Sequence, residues 1–168
     1  MRGPLRFAPL FLALAIGGAA TGAQESSALP QIDLIRVRKA ARIMELHSGG
    51  QVVRVLQDLQ FGRVPTGHKR FEGDGRTPEG RYTIDWRNPE SAFHLSLHIS
   101  YPGEADRSDA RARGRSPGGM IMIHGQPNAW PAGRVPGDWT DGCIAITNAE
   151  IETLWSLVPD GTPIEIEP

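Results

Sequence analysis

The chain holds a single cysteine, Cys143, in the stretch "DWTDGCIAIT", and a histidine-glycine pair, His124-Gly125, nineteen positions before it. A thiol becomes a nucleophile when a base draws off its proton, another group holds that base in one tautomer, and N–H donors await the developing oxyanion. His124, at the end of the short apolar run "MIMIHG", is the natural base. Gly142, just before the cysteine, lets the backbone approach a substrate closely and aims the N–H groups of Gly142 and Cys143 at a negative oxygen. Between the two candidates lies a Pro/Gly-rich segment with Trp130 and Trp139, suited to the walls of a cleft. Taken singly, each element also has a plainer reading: a lone cysteine packs as a small hydrophobe more often than it reacts, and a lone histidine is more often a satisfied structural residue.

The N-terminal stretch shifts that balance. "MRGPLRFAPLFLALAIGGAATGAQ" carries Arg2 and Arg6, an apolar run from Phe7 to about Ile16, and small residues up to Ala23. This is the order of a secretory signal, with cleavage expected after Ala23, giving a signal over residues 1–23 and a lead segment over 24–31. The run is too short to span a bilayer comfortably, so no stable membrane span is expected once the signal is removed. An exported chain, in the periplasm or cell envelope, normally pairs its cysteines. An unpaired one is buried, joined to another chain, or kept as a reactive thiol.

Composition bounds the alternatives. With 168 residues the chain is one domain's worth of material, and a net charge of -1 with no basic stripe gives no case for nucleic acid. Twenty glycines and 14 prolines point to many turns and few long helices.

The elements that must position the two residues are mostly strands. "ARIMELHSGGQVVRVLQ" alternates about Ser48-Gly49-Gly50 and reads as a β-hairpin, with Ile43 and Leu46 in one arm and Val53 and its neighbours in the other. Residues 32–41 fit either a strand or a helical turn. Arg81 to Trp86 reads as a strand, and Phe93, Leu95, Leu97 and Ile99 alternate with His94, Ser96, His98 and Ser100 as in a half-buried one. The charged stretch from Gly103 to Gly119 reads as a long loop. "TNAE", Thr147 to Glu150, is a capping box, and Ile151, Leu154, Trp155 and Val158 recur at helical spacing before Pro159. A last strand, "TPIEIE", ends the chain. The architecture expected is mainly β, a sandwich or open barrel with one short helix in the C-terminal region.

"IMIHGQPNAWPAGRVPGDWTDGCIAITNAEIETLW" resembles the active-site segment of the L,D-transpeptidase catalytic-domain family, cysteine enzymes that remodel bacterial peptidoglycan. "GDGRTPEGRYTI" is similar to the family's G-x-x-T-P-x-G-x-[FY]-x-I segment, with Thr77, Pro78, Gly80, Tyr82 and Ile84 in place. The resemblance runs over residues 32–168. It implies that Cys143 is the nucleophile, His124 the general acid and base, and the backbone carbonyl of Gly125 the group that orients the imidazole. The thiolate would attack an L,D peptide bond of a stem tetrapeptide, release D-alanine and leave a thioester for an amine or water to resolve. It implies no cofactor and no metal. The partners it implies are peptidoglycan stem peptides and, in one subgroup, a peptidoglycan-linked lipoprotein. Resolution by water would make the chain a carboxypeptidase or an amidase. A non-catalytic cell-wall binding module is the reading from outside enzymology.

Two positions depart from the family's pattern. Most members carry histidine where this chain has Asp141, and Arg or Asn where it has Ala145. In an extended segment residues 141 and 143 point to one face. Asp141 near His124 would favour the imidazolium; beside the sulfur alone it would raise the thiol pKa. As a turn carboxylate it would only bond the backbone. Of the remaining candidates, His94 and His98 share a strand face without a third ligand for a metal. His47 and His68 lie in turn-like sequence and are expected at the surface, the charges from Asp106 to Arg115 are expected to be solvated, and Trp155 is expected in the core.

Overall fold

The computed structural model describes residues 30–168 and Gly3. The expected signal segment, Gly3 apart, and residues 24–29 of the lead lie outside the described residues.

Period-two alternation builds the first three strands, β1 (Leu34–Arg38), β2 (Ile43–Ser48) and β3 (Gln51–Leu56). The β2–β3 turn uses Gly49 and Gly50 at φ 59° and 77°, a backbone conformation that glycine adopts without strain. The segment that fits strand or helix is a strand where it is regular. Ile35 and Val37 are fully buried, while Arg36 between them meets Glu165 at 3.0 Å. Beyond these come β4 (Gly80–Ser91), β5 (His94–Ile99), β6 (Met122–His124), β7 (Ile144–Ala145) and β8 (Pro163–Glu167). All eight form one sheet in the order β3-β2-β1-β8-β4-β5-β6-β7. β8 lies parallel to β1 and antiparallel to β4, and β6 and β7 run parallel.

This sheet encloses its core. One apolar cluster contains Ile35 and Val37 of β1 together with Ile123 and Ile144 from the far end of the sheet. A flat sheet would hold those strands too far apart to share a core. The bend falls on β4, whose register against β5 shifts between Ile84 and Arg87 and again between Asn88 and Ser91, and bulges of this kind bend a strand and increase its twist. Residues 59–62 draw the two ends together. The N–H of Leu59 bonds the Arg42 carbonyl at 3.1 Å, and Gln60 and Gly62 bridge to Ala145 and Thr140. The fold is therefore mainly β and wrapped around a core, as the sequence indicates.

The C-terminal helix, α2 (Asn148–Leu157), starts at the capping box: Thr147 Oγ1 accepts from the Glu150 N–H at 3.2 Å and the Glu150 carboxylate accepts from the Thr147 N–H at 2.7 Å. Ile151 and Leu154 face the core, and Trp155 packs at its edge with the Arg87 guanidinium 5.4 Å from its ring.

Two expectations are corrected. The stretch expected as a loop from Gly103 to Gly119 contains a helix, α1 (Glu104–Ala112). Only Asp106 and Ala110 of this helix are buried, so there is no apolar stripe to read from the sequence. Its support is polar: Asp106 Oδ2 accepts from the Gly103 N–H at 2.8 Å, and Arg113 grips Asp109 at 3.1 Å. His47 and His68 are not free surface residues. His47 is 8% exposed in β2. His68 Nδ1 accepts from the Glu79 N–H at 2.9 Å while Nε2 lies 3.0 Å from Asp106. His68 sits in a polar bracket that sequence periodicity does not register, whereas His47 is buried with its Nε2 3.4 Å from Glu45 and without a hydrogen bond among the described residues.

Candidate active site

β6 and β7 place the two candidate residues. Their parallel register sets Ile123 opposite Ile144 and His124 opposite Ala145. Ile123, Ile144 and Ile146 point into the core, so by alternation His124, Ala145 and Cys143 share the other face. Diagonal neighbours across paired strands lie roughly 7 Å apart, and no hydrogen bond joins His124 to Cys143 among the described residues.

His124 is 2% exposed. Its Nδ1 lies 2.7 Å from the Gly125 carbonyl. A carbonyl only accepts, so Nδ1 carries the proton and Nε2 presents a lone pair. Burial lowers the imidazole pKa to about 4, against the opposing pull of that carbonyl, so the ring is neutral across the physiological range. Phe93 stacks on the ring with centroids 4.5 Å apart, and Trp139 leans on its edge at 5.5 Å. Gly125 is required here, because a Cβ would meet Asn148 Oδ1 at 2.5 Å.

The thiol lies against main chain. Cys143 Sγ accepts from the Met122 N–H at 3.4 Å and donates to the Met120 carbonyl at 3.6 Å. Burial pushes its pKa up and the Asp141 carboxylate adds to the rise; the Met122 N–H and the Lys69 ammonium act the other way. His124 and Cys143 are thus both neutral at rest. Such a pair can react by transferring the thiol proton as attack occurs, not from a standing thiolate–imidazolium pair.

The Cys143 turn is braced from several directions. Thr140 Oγ1 donates to the Cys143 carbonyl at 2.8 Å and accepts from the Gly142 N–H at 3.1 Å. Gly142, expected as an oxyanion donor, therefore has its hydrogen committed to Thr140 in this state. The Cys143 N–H has no acceptor among the described residues and is the donor left for an oxyanion. Gly142 is needed for another reason: its φ is +132° and a Cβ would stand 2.6 Å from the Arg76 carbonyl. Gly142→Ala is expected to destabilise the fold by about 2 kcal/mol or more, read as a lowered thermal midpoint.

Asp141 points outward. Its side chain is 80% exposed and meets Arg63 Nη1 at 3.0 Å. Its charge raises the thiol pKa and is absent from the influences on His124. Asp141→Asn is therefore expected to lower the Cys143 pKa and speed alkylation at a fixed pH, with the gain shrinking as salt is added. An unchanged rate at low salt would leave Asp141 only its pairing with Arg63.

Residues that motif reading passed over hold this arrangement. Asp138 grips the Arg42 guanidinium at 2.8 and 2.6 Å and takes the Phe61 N–H at 2.9 Å. Gln126 Nε2 donates to Gln60 Oε1 at 3.1 Å and to the Ile146 carbonyl at 2.7 Å, while its Oε1 accepts from the Val135 N–H at 2.9 Å. This amide ties the loop before the cysteine to the base of the site. Trp130, by contrast, is 40% exposed. His94 and His98 are taken by different carboxylates, Glu152 at 2.7 Å and Asp85 at 2.6 Å. Among the described residues no three His, Cys, Asp or Glu side chains are grouped to hold a metal.

The model of the L,D-transpeptidase catalytic domain family matches residues 32–166. The chain belongs to that family. Its likeness to the helical cell shape determining protein Pgp2 from Campylobacter jejuni is 25% in sequence, over 82% of this chain and 48% of that one, with a TM-score of 0.65. Bd1075 from Bdellovibrio bacteriovorus is also 25% identical, over 81% of this chain and 48% of its own, at a TM-score of 0.56. An L,D-transpeptidase from Xylanimonas cellulosilytica shares the fold at 16% identity, over 82% and 61% of the two chains, at a TM-score of 0.51. This L,D-transpeptidase-family chain spans about half the length of the first two. No curated protein matches it. The family acts on peptidoglycan, which implies the cell envelope, and among the described residues no helix is long and apolar enough to cross a membrane.

Proposed function

We propose that the chain is an exported cysteine L,D-transpeptidase whose catalytic domain spans residues 32–168 behind a signal over residues 1–23. The observation that carries this reading is the β6–β7 register, which puts Cys143 and His124 on one face while the Gly125 carbonyl fixes Nδ1–H and frees Nε2. His124 Nε2 takes the thiol proton as Sγ attacks the carbonyl of an L,D peptide bond in a stem tetrapeptide. The Cys143 N–H receives the oxyanion, and the proton passes to the departing D-alanine amine. A thioester remains. An amine from a second stem then yields a cross-link, its proton returning through His124 to the sulfur.

Water at the same step gives shortened stems or, where the acyl group tethers a lipoprotein, its release. Two features favour that second outcome: Asp141 stands where most members carry histidine, and Ala145 is fully buried against Gln60 where they carry Arg or Asn. Incubating the protein with purified peptidoglycan and sorting the products separates the outcomes. D-alanine release with new cross-links supports the transferase, whereas shortened stems or freed lipoprotein peptides assign the hydrolase. An unaltered sacculus would contradict both and leave a binding module.

A further inference from the structure

Among the described residues one ion pair is closed to solvent on both sides: Lys69 has 3% of its side chain exposed and Asp74 has 1%. Lys69 Nζ lies 3.1 Å from Asp74 Oδ1 and donates to the Phe71 carbonyl at 3.3 Å, with no third acceptor among the described residues. Asp74 accepts in addition from the main-chain N–H groups of Arg70 at 2.6 Å, Phe71 at 3.3 Å and Arg76 at 3.1 Å. The carboxylate charge is therefore spread over four donor groups, while the ammonium keeps one hydrogen unpaired. Desolvating two such ions costs about as much as their attraction returns, so stability alone does not account for the pair.

The turn that this pair closes, residues 69–76, lies against both main-chain segments that lead to the thiol. On one side the Arg76 carbonyl packs on Gly142, the residue before Cys143, where a Cβ would stand 2.6 Å from it. On the other the Glu72 N–H donates to the Ser116 carbonyl at 2.9 Å, and a Cβ on Gly118 would stand 3.1 Å from the Glu72 side chain. Two residues further on, Met120 sits at φ 55° and offers the carbonyl that takes the thiol hydrogen. The charged groups that act on the sulfur are Asp141, which opposes negative charge there, and Lys69, which favours it. Arg63 is paired with Asp141 at the surface. Neither Asp141 nor Lys69 acts on His124, whose ring responds to burial and to the Gly125 carbonyl. A cation that favours negative sulfur without opposing the imidazolium eases the passage of the proton from Sγ to His124 Nε2. We propose that Lys69 is a positioning residue for the nucleophile: with Asp74 it fixes the turn that braces both flanks of Cys143, and its charge supports the sulfur as the proton leaves. The inference rests on the reading of Cys143 as the nucleophile.

The test follows two rates across pH in the full chain, alkylation of Cys143 by iodoacetamide and D-alanine release from a stem tetrapeptide. Lys69→Met removes the charge at similar side-chain length. Alkylation at pH 7 is expected to slow about tenfold, with its rate curve displaced to higher pH, and kcat for D-alanine release to fall while KM holds. Because this charge is buried, the slowing should persist in high salt, unlike the effect of Asp141. Lys69→Met also strands the Asp74 carboxylate, so the double variant Lys69→Met/Asp74→Asn is measured beside it. The double variant should recover thermal midpoint yet alkylate as slowly as the single one, and it decides the matter alone if Lys69→Met does not fold. Lys69→Arg keeps the charge and should restore most of the rate. A wild-type alkylation curve in the double variant, or a Lys69→Arg protein with the wild-type thermal midpoint and the slow rate of Lys69→Met, would overturn the proposal. A wild-type protein whose alkylation depends on Lys69 but which releases no D-alanine would contradict the enzyme reading and leave the coupling of Lys69 to the thiol in place.

Discussion

Cys143→Ala is expected to abolish D-alanine release from tetrapeptide stems and to leave the fold standing. The sulfur makes only two long contacts, at 3.4 and 3.6 Å to the main chain of Met122 and Met120. Each is a weak sulfur hydrogen bond, so its loss costs little stability. The turn that carries the residue is held by Thr140, Asp138 and Gln126, not by the thiol. Activity and stability should therefore separate: no product by chromatography, and a thermal midpoint within a few degrees of the wild type. A residual rate in Cys143→Ala would mean that another group is the nucleophile.

His124→Gln carries the second large effect, and it has two readouts. Removing the base should slow acylation about 100- to 10,000-fold. The second readout follows from the imidazole's depressed pKa. In the unfolded chain the ring takes a proton near pH 6.5, whereas in the fold it resists until about pH 4. Between those values the unfolded state binds more protons, so stability falls as pH drops through that window, by roughly 3 kcal/mol once both values are passed. Glutamine does not titrate. The variant should lose less stability between pH 7 and pH 4 than the wild type, measured by denaturant unfolding at each pH. Parallel pH profiles would show that His124 is not buried in its neutral form. In the wild type the same depressed pKa keeps the base available, so the acid limb of the rate should begin near pH 4 rather than near 6.5.

Much of the frame was legible because it rests on local patterns. The Gly49-Gly50 turn, the alternation in β1 to β3 and the Thr147 capping box each state their geometry in a few adjacent residues. The Cys143 and His124 pair was legible as types and spacing. What placed them on one face was the β6–β7 register, a long-range pairing with no local signature. Helix α1 went unread because ion pairs and a polar cap support it, and these leave no hydrophobic period. Gly142 was read as a donor because glycine before a nucleophile suggests backbone approach. Its N–H is taken by Thr140 instead, and the approach it permits is that of the Arg76 carbonyl. The bracing by Asp138 and Gln126 joins residues up to 96 positions apart and appears only once the chain is folded.

The central claim is that a neutral Cys143 thiol is activated by a neutral His124. Intact-protein mass spectrometry after exposure to a carbapenem, with the adduct mapped to a peptide, tests it most directly. One adduct on Cys143, absent in Cys143→Ala and strongly slowed in His124→Gln, is the result expected. No adduct, an adduct on another residue, or full-rate labelling in His124→Gln would contradict it.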